Sequence, residues 1–241
     1  MNLLAFDTST EIMSVAVQRT PDDTGHAFQA PQVWQHSEPG GARTSAILIP
    51  TIQKLMAQAG LELAELDAIA FGRGPGSFTG LRTACAVAQG LAFGAKLAVL
   101  PIDTLLAVAE EARFAHASGL DHWQVLALLD ARMDEMYASR YDFMNGQWRQ
   151  INGHSLTRPE NLTNDAACPL AGNVFAAYGA RLPAAWVERV PALPTASALL
   201  RLAPALLAAG GALPPEQALP LYVRDKVAQT TLERAAQKAA L

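Results

Sequence analysis

Along the first half of the chain the hydrophobic period switches between strand-like and helix-like blocks. Leu3 to Phe6 is an unbroken apolar run, which at that length predicts a buried strand. Asp7-Thr8-Ser9-Thr10 follows, and these side chains bond nearby backbone groups and favour turns. Ser14 to Val17 reads as the returning strand of a hairpin, Pro21 to Gly25 as a loop, and Val33 to His36 as a third strand. Ile47, Leu48, Ile52, Leu55, Met56 and Ala59 then fall at helical spacing and are closed by Gly60. Pro50 lies inside this pattern and either starts the regular helix or kinks it. Leu66 to Phe71 is strand-like, Gly72 to Gly76 a glycine-proline turn, and Ser77 an N-cap candidate. Phe78, Leu81, Cys85, Ala88 and Ala92 share one face of the next helix. Lys96 to Leu100 is again a strand, and Asp103 opens a helix running to about Phe114. Alternation of this kind predicts an α/β sheet covered by helices.

The second half begins in the same way and then loses its pattern. Val125 to Leu129 predicts a buried strand, Glu135 to Tyr141 a second one, and Asn145-Gly146 a tight hairpin. A helix is expected from about Ala196 to Ala209 despite Pro204, and the tail from Thr231 to Leu241 is helical or frayed. No function is legible between Gly153 and Ala218. The lobe boundary falls between Pro101 and His122, dividing the chain into residues 1–102 and 103–241.

Length and composition agree with two small lobes. The 241 residues are long for one compact domain and short for two large ones. Hydrophobic residues make up 51 % and charged residues 17 %, enough to fill a core and leave apolar surface for a partner. The formal net charge of −4 argues against a protein that grips nucleic acid alone, which needs a basic face. Cys85 and Cys168 show neither CxxC nor zinc spacing and read as reduced thiols. The N-terminal MNLLAFDTST lacks a basic n-region, and no uncharged apolar stretch reaches the ~18 residues of a membrane span. A cytoplasmic protein without a membrane segment is expected.

An internal echo links the halves. Leu3 to Ser9 and Leu126 to Arg132 match at a constant offset, each an apolar strand ending in Asp at a turn. Duplication accounts for this, and so does chance. A duplicated lobe of this kind resembles the plan of the actin and sugar-kinase superfamily, in which two hairpins hold nucleotide phosphates and Mg²⁺ across a cleft.

The segment AFGRGPGSFTGLR, Ala70 to Arg82, is the most informative. It is not a P-loop, because no Lys follows Gly80, and it is not a dinucleotide fingerprint, because Ser77 stands where the third glycine belongs. A tight strand-to-helix turn required by packing explains the glycines; amides at the helix start could also bind an anion. The run Gly72, Arg73, Gly74, Pro75, Gly76, Ser77, Phe78, Thr79, Gly80 and Arg82 closely resembles the signature of the TsaB (YeaZ) family. So do the opening LLAFDTST, His36-Ser37-Glu38, Leu66 to Ile69, Leu129 to Arg132, and Leu221 to Arg224. The resemblance is strong to about residue 142 and loose from there to Pro220.

The resemblance implies a two-lobed actin-like fold, each lobe a mixed sheet led by a hairpin and covered by helices. It further implies a non-catalytic scaffold that binds TsaD while threonylcarbamoyl is placed on adenosine 37 of tRNAs reading codons that begin with A. TsaE would join the same complex, a homodimer is possible for the chain alone, and tRNA would be met only through the complex. ATP and metal would belong to the partner subunits. TsaD carries a metal in an HxxxH helix motif. Here His26, His36, His116, His122 and His154 include no pair at i and i+4, so no metal site is expected. Asp7, Thr8, Ser9, Asp130 and Arg132 would be a degenerate phosphate hairpin pair, remnants of a metal-phosphate site or simple turn formers. The second turn lacks glycine and adds Asp134 and Glu135 next to Asp130, acids that repel phosphate unless a cation intervenes. The family's lobe-pairing helices correspond to Ser45–Ala59 and Ser77–Phe93, with Leu55, Thr83, Ala86, Val87 and Gly90 expected at a partner surface. The competing readings are a stand-alone ATPase or sugar-kinase-like phosphotransferase, and a peptidase for which no credible nucleophile is visible.

Overall fold

A computed structural model describes residues 1–21, 30–163, 168–182 and 188–224. His26, most of the loop expected at 21–25 and the tail from 231 lie outside the described residues. In chain order the elements are β1 (Leu3–Asp7), β2 (Ile12–Arg19), β3 (Gln32–Pro39), α1 (Thr44–Ala59), β4 (Ala68–Gly74), α2 (Phe78–Ala95), β5 (Ala98–Asp103) and α3 (Thr104–His116). There follow β6 (His122–Arg132), β7 (Glu135–Met144), β8 (Gln147–Gln150), β9 (Ser155–Thr157), β10 (Leu170–Gly172), α4 (Phe175–Tyr178), β11 (Arg189–Pro191) and α5 (Ala196–Ala208). Among the described residues no helix is long and apolar enough to cross a membrane.

Two mixed sheets organise the chain. The first runs β3-β2-β1-β4-β5, with β1–β2 and β2–β3 antiparallel and β1–β4 and β4–β5 parallel. The second runs β11-β10-β6-β7-β8, with β9 also paired to β7. Each sheet is led by a long hairpin, β1–β2 in one and β6–β7 in the other. This is the two-lobed actin-like arrangement that the paired Asp-tipped hairpins imply.

Alternation of side chains along a strand decides which face meets which helix. In β1 and β4 the residues Leu4, Phe6, Ile69 and Phe71 join the core under α1 and α2. Leu3, Ala5, Ala68 and Ala70 point the other way, toward α5 and part of α3. The large side chains thus lie under one helix pair. Leu3 and the three alanines Ala5, Ala68 and Ala70 lie under the other, where the alanines let helix backbones come close. Four buried side chains of α1, Leu48, Ile52, Leu55 and Met56, contribute roughly 6–12 kcal/mol of gross burial as an upper bound. In β6 the odd positions Val125, Ala127 and Leu129 pack on α3, while Leu126 and Leu128 pack with Leu170, Val174 and Tyr178. Helix α3 therefore lies between the sheets, and α5, although late in the chain, packs on the first sheet.

Local signals act where the side chains predict. Ser77 caps α2, its hydroxyl accepting the Gly80 N–H at 3.5 Å, and Asp103 caps α3, accepting the Leu105 N–H at 2.8 Å. Asn145 and Gly146 turn β7 into β8 with φ 51° and 79°, the left-handed pair that a two-residue hairpin favours. Pro50 lies within α1, so that helix begins before it. Phe78, expected on the buried face of α2, is half-buried at its first turn and meets Tyr222 instead, with ring centroids 5.3 Å apart.

Candidate functional site

The turns at the tips of the two leading hairpins face each other across a cleft of about 590 Å³. Its walls come from Thr8 to Glu11, the start of α1, Gly76 to Leu81, Leu129 to Met133, and Leu221 to Arg224. Thr8, Ser9, Asp130 and Arg132 thus share one site with the second half of the signature, Gly76 to Gly80, while Asp7, Gly72 to Pro75 and Arg82 do not line it.

Asp7 lies beneath this site and is fully buried. Its Oδ1 accepts the Ser9 N–H at 2.8 Å and the Ser9 hydroxyl at 2.6 Å. Its Oδ2 is buried against Gly72 and, among the described residues, has no partner meeting hydrogen-bond geometry. Desolvation disfavours the charged form of such a group. It pushes the Asp7 carboxyl up to about 6, against the opposing pull of the Ser9 hydroxyl and N–H and the nearby Thr104 hydroxyl. Thr8 donates its hydroxyl to the Gly80 carbonyl at 2.7 Å.

Packing explains the signature glycines. A Cβ on Gly72 would stand 1.7 Å from Asp7 Oδ2, one on Gly76 would be 2.5 Å from the Ser9 carbonyl, and one on Gly80 would be 1.8 Å from the Thr8 carbonyl. The first turn therefore rests directly on the signature backbone, and only a residue without Cβ permits that approach. The tight-turn reading is the one the geometry favours. Arg73, on β4, offers its carbonyl to the Leu221 N–H at 2.7 Å. Pro75 is buried, and Thr79 is exposed at the start of α2. Arg82 stacks over Phe78 at 3.9 Å and donates to the Tyr222 hydroxyl at 3.2 Å.

The second turn is built differently. Asp130 Oδ1 accepts from the Arg132 N–H and from the Tyr178 hydroxyl, each at 2.8 Å, and the Asp130 N–H donates to Asn173 at 2.9 Å. Burial, with the Asp130 hydrogen bond, pushes the Tyr178 phenol up to about 12. Arg132, Met133 and Asp134 have φ of 61°, 55° and 65°. The left-handed conformation costs a non-glycine residue roughly 1–2 kcal/mol, so three in succession need outside support. Arg181 supplies some of it, gripping Asp134 on one side and Glu160 on the other. Those hydrogen bonds hold both carboxyls below their ordinary range. Arg132 reaches across the cleft to Glu11. The carboxylates and arginines of this turn pair with one another and with Glu11 and Arg181.

The helix residues expected at a partner surface divide. Ala86 and Gly90 are exposed, and Thr83 is half-buried. Val87 is half-buried and packs against the first core. Leu55 must be corrected. It is 3 % exposed and faces the sheet with Ile52 and Met56, because its helical register puts it on the inner stripe of α1. Solvent instead meets Ala46, Ile49 and Pro50 on α1 and Phe93 on α2.

The histidines are dispersed. His36 sits on β3 beside Glu38 at 3.3 Å, His122 meets Asp142 at 2.9 Å, His116 ends α3, and His154 bonds Asp103. Among the described residues no three His, Cys, Asp or Glu side chains converge as a metal-holding group. Cys85 is buried on α2, where desolvation raises its thiol above the ordinary range, as for an inert core cysteine. Sequence reasoning did not assign Asn173 or Tyr222 to the cleft, or Tyr178 to Asp130. The only signal for any of them was the Leu221 to Arg224 match, which carried no position.

The profile of the family described as "TsaD: tRNA N6-adenosine threonylcarbamoyltransferase" matches residues 29–203. The chain is 38 % identical to the tRNA threonylcarbamoyladenosine biosynthesis protein TsaB of Haemophilus influenzae, covering 94 % of this chain and 95 % of the relative. It is 31 % identical to the protein of that name from Escherichia coli, covering 95 % and 96 %. The solved structure of YeaZ from Pseudomonas aeruginosa superposes with a TM-score of 0.79 at 37 % identity, covering 92 % of this chain and 99 % of that one. Two lobes led by facing Asp-tipped hairpins define a protein of the actin-like fold. Within that class, the chain belongs to the TsaB family, also called YeaZ.

Proposed function

We propose that this chain is a non-catalytic, cytoplasmic subunit of the machinery that forms N6-threonylcarbamoyladenosine at position 37 of tRNA. It acts by binding TsaD through the outer face of α1 and α2. TsaE joins the same complex, tRNA is met through the complex, and ATP and metal belong to the partner subunits. The observation that carries the reading is the exposed outer face itself. Ile49 on α1 is 42 % and Phe93 on α2 77 % exposed, and a Cβ placed on Gly90 or Gly94 of α2 would meet no atom within 4 Å. Apolar side chains flanking open glycines suit close packing of another helix pair. A lobe of related sequence is a natural occupant, given that the TsaD family profile covers most of this chain. The mutual pairing of acids and arginines at the second turn supports a subunit that leaves the chemistry to its partner.

The test is reconstitution of threonylcarbamoyl transfer to unmodified tRNA from TsaD, TsaE and the carbamoyl-adenylate-forming enzyme, with and without this chain. Product should require the chain and should persist with Asp7→Asn plus Asp130→Asn. Loss of product with the double variant, while the variant is folded and bound to TsaD, would instead support a nucleotide role for the cleft. Equal product without the chain would remove the proposal.

A further inference from the structure

The segment from Ala218 to Arg224 is fixed to both lobes within seven residues. Its first part lies on the signature. The Ala218 carbonyl accepts from Cys85 Sγ at 3.3 Å and Gln89 Nε2 at 3.0 Å on α2, and the Leu221 N–H donates to the Arg73 carbonyl at 2.7 Å. A Cβ on Gly74 would stand 2.5 Å from the Leu221 carbonyl oxygen, and Gly74 has φ 120°. Tyr222 is held by Phe78 and Arg82. Two residues later the chain has crossed the cleft. Arg224 donates Nη2 to the Arg132 carbonyl at 3.3 Å and to Glu135 at 2.6 Å, and sets Nη1 3.0 Å from Met133 Sδ.

These contacts fall on the strained turn. Non-glycine residues in the left-handed region persist only where their surroundings over-determine them, and here there are three in a row. Among the described residues, two side-chain ties link the turn to the far side of the cleft, Arg132 to Glu11 directly and Arg224 through its own segment. The Arg132–Glu11 pair is exposed at both ends, 65 % and 76 %, and exposed pairs hold weakly. The Arg224 side chain is 14 % exposed and contacts three residues of the turn and its following strand.

We propose that Ala218–Arg224 is a latch. Arg224 holds Arg132-Met133-Asp134 in the left-handed form and keeps the two turns closed on each other. When the segment leaves the signature, the turn relaxes and the cleft opens. The inference concerns the chain alone and stands apart from its role in tRNA modification.

Hydrogen exchange read by mass spectrometry on the full chain tests it. Arg224→Ala should raise exchange at least tenfold in peptides covering 130–135 and 7–11, with β1 and β4 unchanged. Tyr222→Ala, which keeps the arginine but loosens the segment, should raise the same two regions by less. Adding Met133→Gly to Arg224→Ala should return the 130–135 peptide to slow exchange, since glycine takes the left-handed form without strain. A merely structural contact would not be rescued by glycine. Unchanged exchange at 130–135 in a folded Arg224→Ala protein, or no rescue by the glycine, overturns the latch. Should Arg224→Ala not fold, Tyr222→Ala decides alone, and exchange at the two turns equal to that of the unmodified chain overturns it.

Discussion

Replacing Asp7 with asparagine should make this protein more stable at neutral pH and should flatten its stability between pH 4 and 6. The asparagine keeps the carbonyl oxygen that accepts both Ser9 bonds, and its amide fills the place of Oδ2 against Gly72. In the folded chain burial pushes the Asp7 carboxyl from 3.8 to about 6. In the unfolded chain it ionises near its ordinary value. Between those two pH values the folded state therefore holds more protons, and stability falls as pH rises, levelling off above about 6. A shift of roughly two units corresponds to about 3 kcal/mol. Asp134 and Glu160, whose carboxyls are held low by Arg181, act in the opposite sense below pH 4, but they are common to both proteins and cancel in the difference. Urea denaturation followed by tryptophan fluorescence across pH 4 to 8 measures this, with equal slopes in urea as the check that the two unfold alike. Near pH 4 the two proteins should agree. At pH 7.5 the variant should lead by up to about 3 kcal/mol. Parallel curves, or a variant less stable at pH 7.5, would refute the view that this carboxylate is desolvated and uncompensated.

Other substitutions test other links. Gly80→Ala puts a methyl 1.8 Å from the Thr8 carbonyl. It should cost at least about 3 kcal/mol, a fall in Tm of roughly 6–12 °C by calorimetry. Glu110 is 3 % exposed and accepts from Arg113, Arg201 and the Trp148 indole. Glu110→Ala strands the Arg113 and Trp148 donors, leaves Arg201 only Glu111, and should destabilise by about 3–5 kcal/mol in chemical denaturation. Gly90→Glu sits on open surface, so Tm should hold while co-purification with TsaD is lost; retained binding would count against this face.

What the sequence made legible is what short range decides. Asp103 and Ser77 announce their helix starts with their own side chains, and Asn145-Gly146 announces its turn. The strands β1, β4 and β6 are apolar enough to be seen because both of their faces are covered. The facing of the two Asp-tipped turns across a cleft followed from the family resemblance, and the place of the signature beside them was signalled by neither the resemblance nor any local pattern. Leu55 was misplaced because helical spacing shows that a stripe exists but not how wide it is. The strands β9, β10 and β11 have three residues each, too few to show a period. The left-handed turn at Arg132-Met133-Asp134 contains no glycine or asparagine to signal it. Arg181 and Arg224 hold it from 47 and 91 or more residues away in the chain, a distance at which sequence patterns carry nothing.

Helix α5 has a consequence for how the protein is made. The first sheet is complete once β5 has been synthesised, yet the side carrying Leu3, Ala5, Ala68 and Ala70 receives α5 only when residues 196–208 arrive. At ordinary elongation rates that delay is roughly 5–20 s after β5. During synthesis the early lobe is therefore left with a partly open apolar face until residues 196–208 have been made. Truncations before residue 196 would leave it open permanently.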